Sequence, residues 1–321
     1  MPDLPIQVPD RQTTGFRPAG LPAKEGGSAP RQWLRFAMAA VVLLAIYAWP
    51  LTQLARVALS GDLYSHVLLI PVISGYLIWE RRSMLPSVDS IGRAWAVVPA
   101  GLGVIALLIV ASLRARGAIL TIEDQLSGLI FSWWCFLTAI GIGLLGGAWV
   151  RSVTFPVAFL LFMVPFPDVV KDGIDLFFQH TSAAAAEMLM RIARVPMLRD
   201  GLHFQLPGIQ IQVAAECSGI RSTLVLFITS LLGGYMLLRR AGHRWALALF
   251  VIPLAAARNG LRIATLAWLC ANVGTEMIHS WIHHRGGPVF FALSLIPFFG
   301  LLLLLRWREA RQREVPGGSN G

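Results

Sequence analysis

The sequence predicts an all-α polytopic membrane protein with about eight transmembrane helices, an outer-face amphipathic helix and a small β-hairpin. Three observations carry that expectation. Apolar runs of spanning length recur along the whole chain. Charged residues make up only 14% of the 321 residues while hydrophobic ones make up 56%, whereas soluble domains carry about a quarter charged residues. The arginines gather in short segments that flank apolar runs, where basic residues set membrane orientation. The net charge of +10 is therefore read as a topology signal, and no nucleic-acid partner is expected.

Residues 1–32, rich in Pro, Gly and mixed charge, are expected to be a disordered cytoplasmic tail. Their first apolar run comes too late for a cleaved leader. Residues 33–306 form the transmembrane domain, and 307–321 a basic cytoplasmic tail. The expected spans lie roughly at residues 34–51, 66–80, 93–113, 127–147, 152–167, 222–238, 245–270 and 288–306. An even number returns both tails to one side. The arginines of "ERRS", "WVRS", "LRRAGHR" and the C-terminal tail then share the cytoplasmic side, although Arg114, Arg116 and Arg199 fall opposite.

Residues 174–195 are apolar enough for a helix but include His180, Glu187, Arg191 and Arg194. An interfacial amphipathic helix on the outer side fits them better than a ninth span. In the following "GLHFQLPGIQIQVAAE", Leu202, Phe204 and Leu206, then Ile209, Ile211 and Val213, alternate with other residues around Pro207-Gly208. Period-two alternation about a Pro-Gly turn predicts a hairpin, which must lie outside the bilayer or under protein cover.

Three groups able to do chemistry converge on the outer side of this layout. Cys217, in "AAECSGIRS", stands at the start of a span, where the helix dipole and Arg221 at i+4 favour a thiolate. The local sequence leaves open whether it is a nucleophile or a small buried hydrophobe, the reading adopted for Cys135 and Cys270. Arg258 and Arg262 share one face of an apolar helix with Asn259 beside them. Ionisable groups there are functional candidates, although snorkelling to the headgroups is the competing reading. "IHSWIHHRGGPVFF" concentrates His279, His283 and His284, which suit acid-base work or a polar loop. The cysteines form no CxxC pair and the histidines lack a matching carboxylate spacing, so no metal and no cofactor is expected.

These motifs resemble the exosortase and archaeosortase family of multi-pass membrane enzymes regarded as cysteine transpeptidases. The resemblance lies in "ECSGIRS", in "NGLR" ending at Arg262, in "HHRGGPVFF" with His283, Gly287 and Phe291 in a His-x-x-x-Gly-x-x-x-Phe pattern, and in "DLYSH" from Asp62 to His66. Together they cover residues from about 35 to 306. The resemblance implies Cys217 as nucleophile, with Arg262 and His283 as its catalytic partners. Arg258, Arg221 and His284 are possible supporting residues. It also implies secreted substrates anchored by a C-terminal sorting signal: a Pro-Glu-Pro type motif, a spanning helix and a basic end. They would be cleaved through a thioacyl intermediate at the outer face of a bacterial inner membrane. Membrane lipid is an expected partner, and a glycan or a lipid is a candidate acceptor. The competing readings are a polytopic transporter that binds an anion at Arg258 and Arg262, and a non-catalytic assembly factor for polysaccharide export.

Overall fold

The computed structural model describes residues 29–60, 63–86, 92–207, 209–213, 219–274, 276 and 286–314. The elements are α1 (Ala29–Ile46), α2 (Ala48–Ser60), α3 (Ile70–Glu80), α4 (Val97–Ala115), α5 (Ile122–Leu145), α6 (Gly147–Ser152), α7 (Thr154–Phe159) and α8 (Asp168–Ile192). They continue with β1 (Leu198–Asp200), β2 (His203–Leu206), β3 (Ile209–Gln212), α9 (Ile220–Leu237), α10 (Ala241–Asn272) and α11 (Gly287–Glu314).

Every apolar segment expected to span folds as helix, but the segments are not equivalent. Among the described residues five helices are long and apolar enough to cross a membrane: Arg93–Ala115, Ile122–Leu145, Ile220–Leu237, Ala241–Asn272 and Gly287–Gln312. The first segment is a pair, Arg31–Ile46 and Ala48–Ser60, bent by 68°. Pro50 explains the bend, because it lacks the N–H that would bond to Ile46 and its ring crowds that carbonyl. The Ser65–Glu80 and Thr154–Met163 helices are shorter. The second gives way to 3₁₀ geometry at Leu160–Met163, just before "VPFP", where each proline pushes the residue ahead of it out of the α region.

The outer surfaces of these helices are themselves apolar. On α4, Ile105 is 53% and Leu108 62% exposed, while Gly103, Ala106 and Val110 face inward. A helix apolar on all sides belongs in lipid. Its inner contact with α5 uses small residues: a Cβ on Gly103 would stand 3.1 Å from Cys135 Cβ, and one on Gly128 2.4 Å from Val110 Cγ2. Without a hydrophobic drive between helices in lipid, such close approach supplies the packing energy.

The helix expected at 174–195 is α8, which starts earlier, at Asp168. It buries Phe178, Ser182, Ala183, Ala186 and Met190 as one stripe and packs along α10. The two helices approach most closely at Gly260, where an added Cβ would lie 2.6 Å from Ala185 Cβ and 2.8 Å from Ala186 N.

The hairpin is present, with Phe204 opposite Ile211 and Leu206 opposite Ile209. A third strand, β1, which the sequence did not reveal, pairs antiparallel with β2. Phe204, Leu206, Ile211 and Val213 point into a core shared with Ala183, Ala186 and Met190 of α8 and Ile263, Ala264 and Ala267 of α10. The sheet is thus covered by protein on its apolar face, as a sheet beside lipid requires.

The arginine-rich segments meet at one end of the bundle. Arg81 lies 4.5 Å and Arg244 5.5 Å from the centre of the Tyr235 ring, which stacks on Phe155 at 3.7 Å. Glu309 of α11 accepts the backbone N–H groups of Arg239 and Arg240, just ahead of α10, at 2.9 Å and pairs with His243. Segments that the charge bias assigned to one side are therefore tied together there by aromatic and ionic contacts.

Gly260→Ala is expected to force α8 from α10 and lower the thermal midpoint of the detergent-solubilised protein, as overpacking costs about 1–3 kcal/mol. Gly101→Ala, with nothing within 4 Å, is the control. It should match or exceed the wild-type midpoint, because alanine favours helix by up to about 1 kcal/mol.

Candidate active site at the start of α9

The site is built around Gly219, the residue that precedes α9. Its φ of 69° lies in the left-handed region that glycine occupies without steric cost. Its carbonyl oxygen collects donors. It accepts Thr223 N at 3.0 Å, Thr223 Oγ1 at 2.8 Å, Ser222 Oγ at 3.0 Å and Arg258 Nη2 at 3.3 Å. Arg258 Nη2 also donates to Thr223 Oγ1 at 3.2 Å. A Cβ on Gly219 would stand 3.0 Å from Nη2, so a larger residue at this left-handed position would also have to push the Arg258 guanidinium aside. The positive end of the α9 dipole stands at this turn.

The facing part of α10 is the tripeptide Arg258-Asn259-Gly260, and each residue has a different task. Arg258 reaches α9. Asn259 Nδ2 donates to Ser182 Oγ of α8 at 3.0 Å, and Gly260 permits the close crossing. Arg258 is only 7% exposed, so its side chain turns inward against α9. Its Nη1 is buried without a hydrogen-bond partner, and among the described residues no carboxylate pairs with it. Arg262, one turn further along α10, is half-buried, and Arg221 on α9 is exposed.

Two cavities adjoin this turn. One of about 550 Å³ is lined by Val170, Phe177 and Phe178 of α8, Thr223 and Phe227 of α9, and Val251 of α10, among others. The second, of about 370 Å³, lies between Arg258 and Leu261 of α10 and Phe290, Leu293 and Ser294 of α11, with Leu189 of α8. It brings the first two turns of α11 beside the Arg258 turn.

A polar cluster ties the beginnings of α5 and α8 to the "DLYSH" segment. Thr121 Oγ1 accepts Asp124 N at 3.1 Å and caps α5, and Asp124 Oδ1 accepts Asp168 N at 2.9 Å at the start of α8. Lys171 Nζ bridges Asp168 at 2.6 Å and Glu123 at 3.0 Å. Tyr64 donates to the same Glu123 oxygen at 3.4 Å; burial, then the Glu123 charge, push its phenol up to about 12. The Lys171 hydrogen bond holds the Asp168 carboxyl below the usual carboxylate range, and that bond in turn holds the Lys171 ammonium above its ordinary value. His66 lines a smaller cavity with Tyr64, Phe162 and Leu224, and its Nδ1 is buried without a partner.

Of the residues singled out in the sequence, Arg258, Arg262 and Arg221 are described, with Arg258 and Arg262 on the helix that meets the Gly219 turn. Cys217, His279, His283, His284, Glu216 and Asp62 lie outside the described residues. Cys135 and Cys270 are buried, at 0% and 3% exposure. Gly219, Thr223 and Ser182 carry contacts that sequence reasoning missed. The signal was partly legible, since a glycine between "ECS" and an apolar run is a natural left-handed entry to a helix. Among the described residues no group of three or more His, Cys, Asp or Glu side chains could hold a metal ion.

The family model of the transmembrane exosortases matches residues 58–300. The chain belongs to this family. Exosortases are membrane cysteine peptidases or transpeptidases, and the match spans α3 to α10, the sheet and the first half of α11. No curated protein and no solved structure matches the chain. As an exosortase it is a multi-pass membrane protein.

The polar cluster has a defined pH dependence. Because the Asp168 carboxyl titrates lower in the folded state, its contribution to stability is present above the ordinary carboxylate value and lost as pH falls through the folded one. Lys171→Met should flatten the fall of the thermal midpoint on acidification below about pH 4. An unchanged acid limb in a midpoint-against-pH series would remove Lys171 as the cause.

Proposed function

We propose that this exosortase cleaves C-terminal sorting signals of the Pro-Glu-Pro type from secreted, membrane-anchored proteins, using Cys217 as nucleophile, and transfers the acyl end of the secreted protein to an acceptor. The single observation that carries the reading is the hydrogen bond from Arg258 Nη2 to the Gly219 carbonyl. Through it the arginine-bearing turn of α10 lies against the residue two positions after Cys217. Motif segments far apart in the chain are thereby neighbours, and the cavity between α10 and α11 draws in the helix that begins four residues after His283.

In this scheme the Cys217 thiolate attacks the scissile carbonyl, and Arg262 donates hydrogen bonds to the developing oxyanion. One such donor contributes about 3–4 kcal/mol in other acyl-transfer enzymes. The C–N bond breaks as His283 protonates the departing amine, leaving a thioester on Cys217. An acceptor nucleophile then attacks the thioester, gives its proton to His283 and restores the thiolate. Arg221 and His284 act as supporting residues. The basic end of the substrate stays on the cytoplasmic side of a bacterial inner membrane, and the reaction runs at the outer face. The apolar cavity lined by Thr223 and Phe227 supports lateral docking, because it offers apolar side chains a place beside the Gly219 turn.

The test is to trap the thioacyl adduct with a sorting-signal substrate and locate it by mass spectrometry. It should sit on Cys217. Cys217→Ser should lose on the order of a thousandfold or more in processing at equal expression, and Arg262→Ala about a hundredfold or more. Full processing by Cys217→Ala would sink the mechanism and favour an assembly or transport role. A substrate truncated before its spanning helix should turn over poorly; normal turnover of the soluble motif peptide would count against lateral docking.

A further inference from the structure

The arginine-rich end of the bundle brings two guanidiniums to one aromatic ring. Tyr235, near the end of α9, carries the Phe155 ring flat against one face, at 3.7 Å and 8°. With that face closed, Arg81 and Arg244 share the other, their guanidinium carbons 4.5 and 5.5 Å from the ring centre. The two carbons are therefore no more than 10 Å apart. Both side chains are half-buried, and each is held by its own element. Arg81 directly follows α3, and Arg244 Nε donates to the Leu238 carbonyl at 2.8 Å. Among the described residues neither guanidinium makes an ion pair. Like charges brought this close repel, and the face of the ring answers them only weakly.

The surroundings do not supply the missing anion. Glu309 is taken up by Arg239 N, Arg240 N and His243. Glu80 is exposed and lies within 4 Å of neither guanidinium. Arg82, on the other hand, adds positive charge: it sits 4.3 Å over Trp79 and donates to the Trp79 carbonyl. The side chains of Arg239 and Arg240 are exposed and add more.

The depth of this corner says which anion it meets. Trp79, Trp245 and Trp307 are exposed at the same end, and exposed tryptophans mark the level of the lipid headgroups. A phosphate offers oxygens to two guanidinium forks at once. We propose that Arg81 and Arg244 form a binding site for the phosphodiester headgroup of an anionic phospholipid, which bridges α3 and α10 over Tyr235. The surplus of arginines selects a headgroup without a cation of its own, phosphatidylglycerol over phosphatidylcholine. The Gly219 turn lies at the opposite end of α9, so the site stands apart from the proposed chemistry.

The experiment strips the full-length chain of bound lipid in detergent. It then titrates it with short-chain phosphatidylglycerol, short-chain phosphatidylcholine or inorganic phosphate, reading the thermal midpoint and the ligand retained in native mass spectra. Phosphatidylglycerol should raise the midpoint saturably and stay bound as one molecule per chain, and the other two should do neither. Arg81→Gln and Arg244→Gln should each weaken its apparent affinity on the order of tenfold or more, as loss of charge-assisted hydrogen bonds does. Arg244 also holds the Leu238 carbonyl, so Arg81→Gln decides the matter if Arg244→Gln does not fold. Arg311→Gln removes a cation from the same end, one that stacks on Trp307 at 3.9 Å, and should bind like the parent. Equal affinity for phosphatidylcholine, or an equal response to inorganic phosphate, overturns the anionic lipid as ligand. Parent-like binding by Arg81→Gln, or an equal loss in Arg311→Gln, overturns the site.

Discussion

The arrangement depends on the close crossing of α8 and α10 at Gly260. Only a residue without a side chain lets the α8 backbone come within 2.8 Å of where a Cβ would stand. From that contact the Asn259–Ser182 hydrogen bond follows on one side, and the shared core under the sheet on the other. Arg258, immediately before, is thereby aimed at α9. Three consecutive residues on one turn of α10 face α9, α8 and the crossing itself, so a small rotation of α10 would disturb all of them at once.

The two ends of the bundle are stabilised by different physics. At one end, cation–π contacts on Tyr235 and the Glu309 hydrogen bonds join residues with apolar bodies and charged tips, suited to an interface where lipid gives way to water. At the other, Glu123, Asp168 and Lys171 make ion pairs about a quarter exposed, and a buried arginine is set among neutral acceptors. The first arrangement anchors and orients the helices. The second leaves Arg258 Nη1 without a hydrogen-bond partner.

Much of this was legible in the sequence. Long apolar runs fixed the helices, because lipid admits few alternatives. Alternation about Pro207-Gly208 announced β2 and β3, and two arginines in an apolar run marked α10. What escaped had no periodic signature. β1 is three residues long with its ends exposed, too short to show alternation. The bend ahead of Pro50 and the short Thr154–Met163 helix come from prolines inside segments whose mean hydropathy reads as continuous. Thr223 and Ser182 look like ordinary helical hydroxyls until the fold brings Arg258 and Asn259 to them. Arg258 and Arg262 lie four residues apart on one helical face, and helical spacing alone does not separate them; burial does, with Arg258 buried and Arg262 half-buried.

The length of α10 has a mechanical meaning. At about 1.5 Å per residue its 32 residues run about 48 Å, well beyond the roughly 30 Å of hydrocarbon in a bilayer. Arg258 stands 17 residues after Ala241, about 26 Å along the axis. The helix thus works as a ruler held at its foot by Glu309, with the turn that reaches Gly219 inscribed at a fixed height. One residue added below that mark would lift the guanidinium by about 1.5 Å and swing it through about 100°, off Gly219 altogether. Depth and direction of the site are therefore a single quantity, counted in residues.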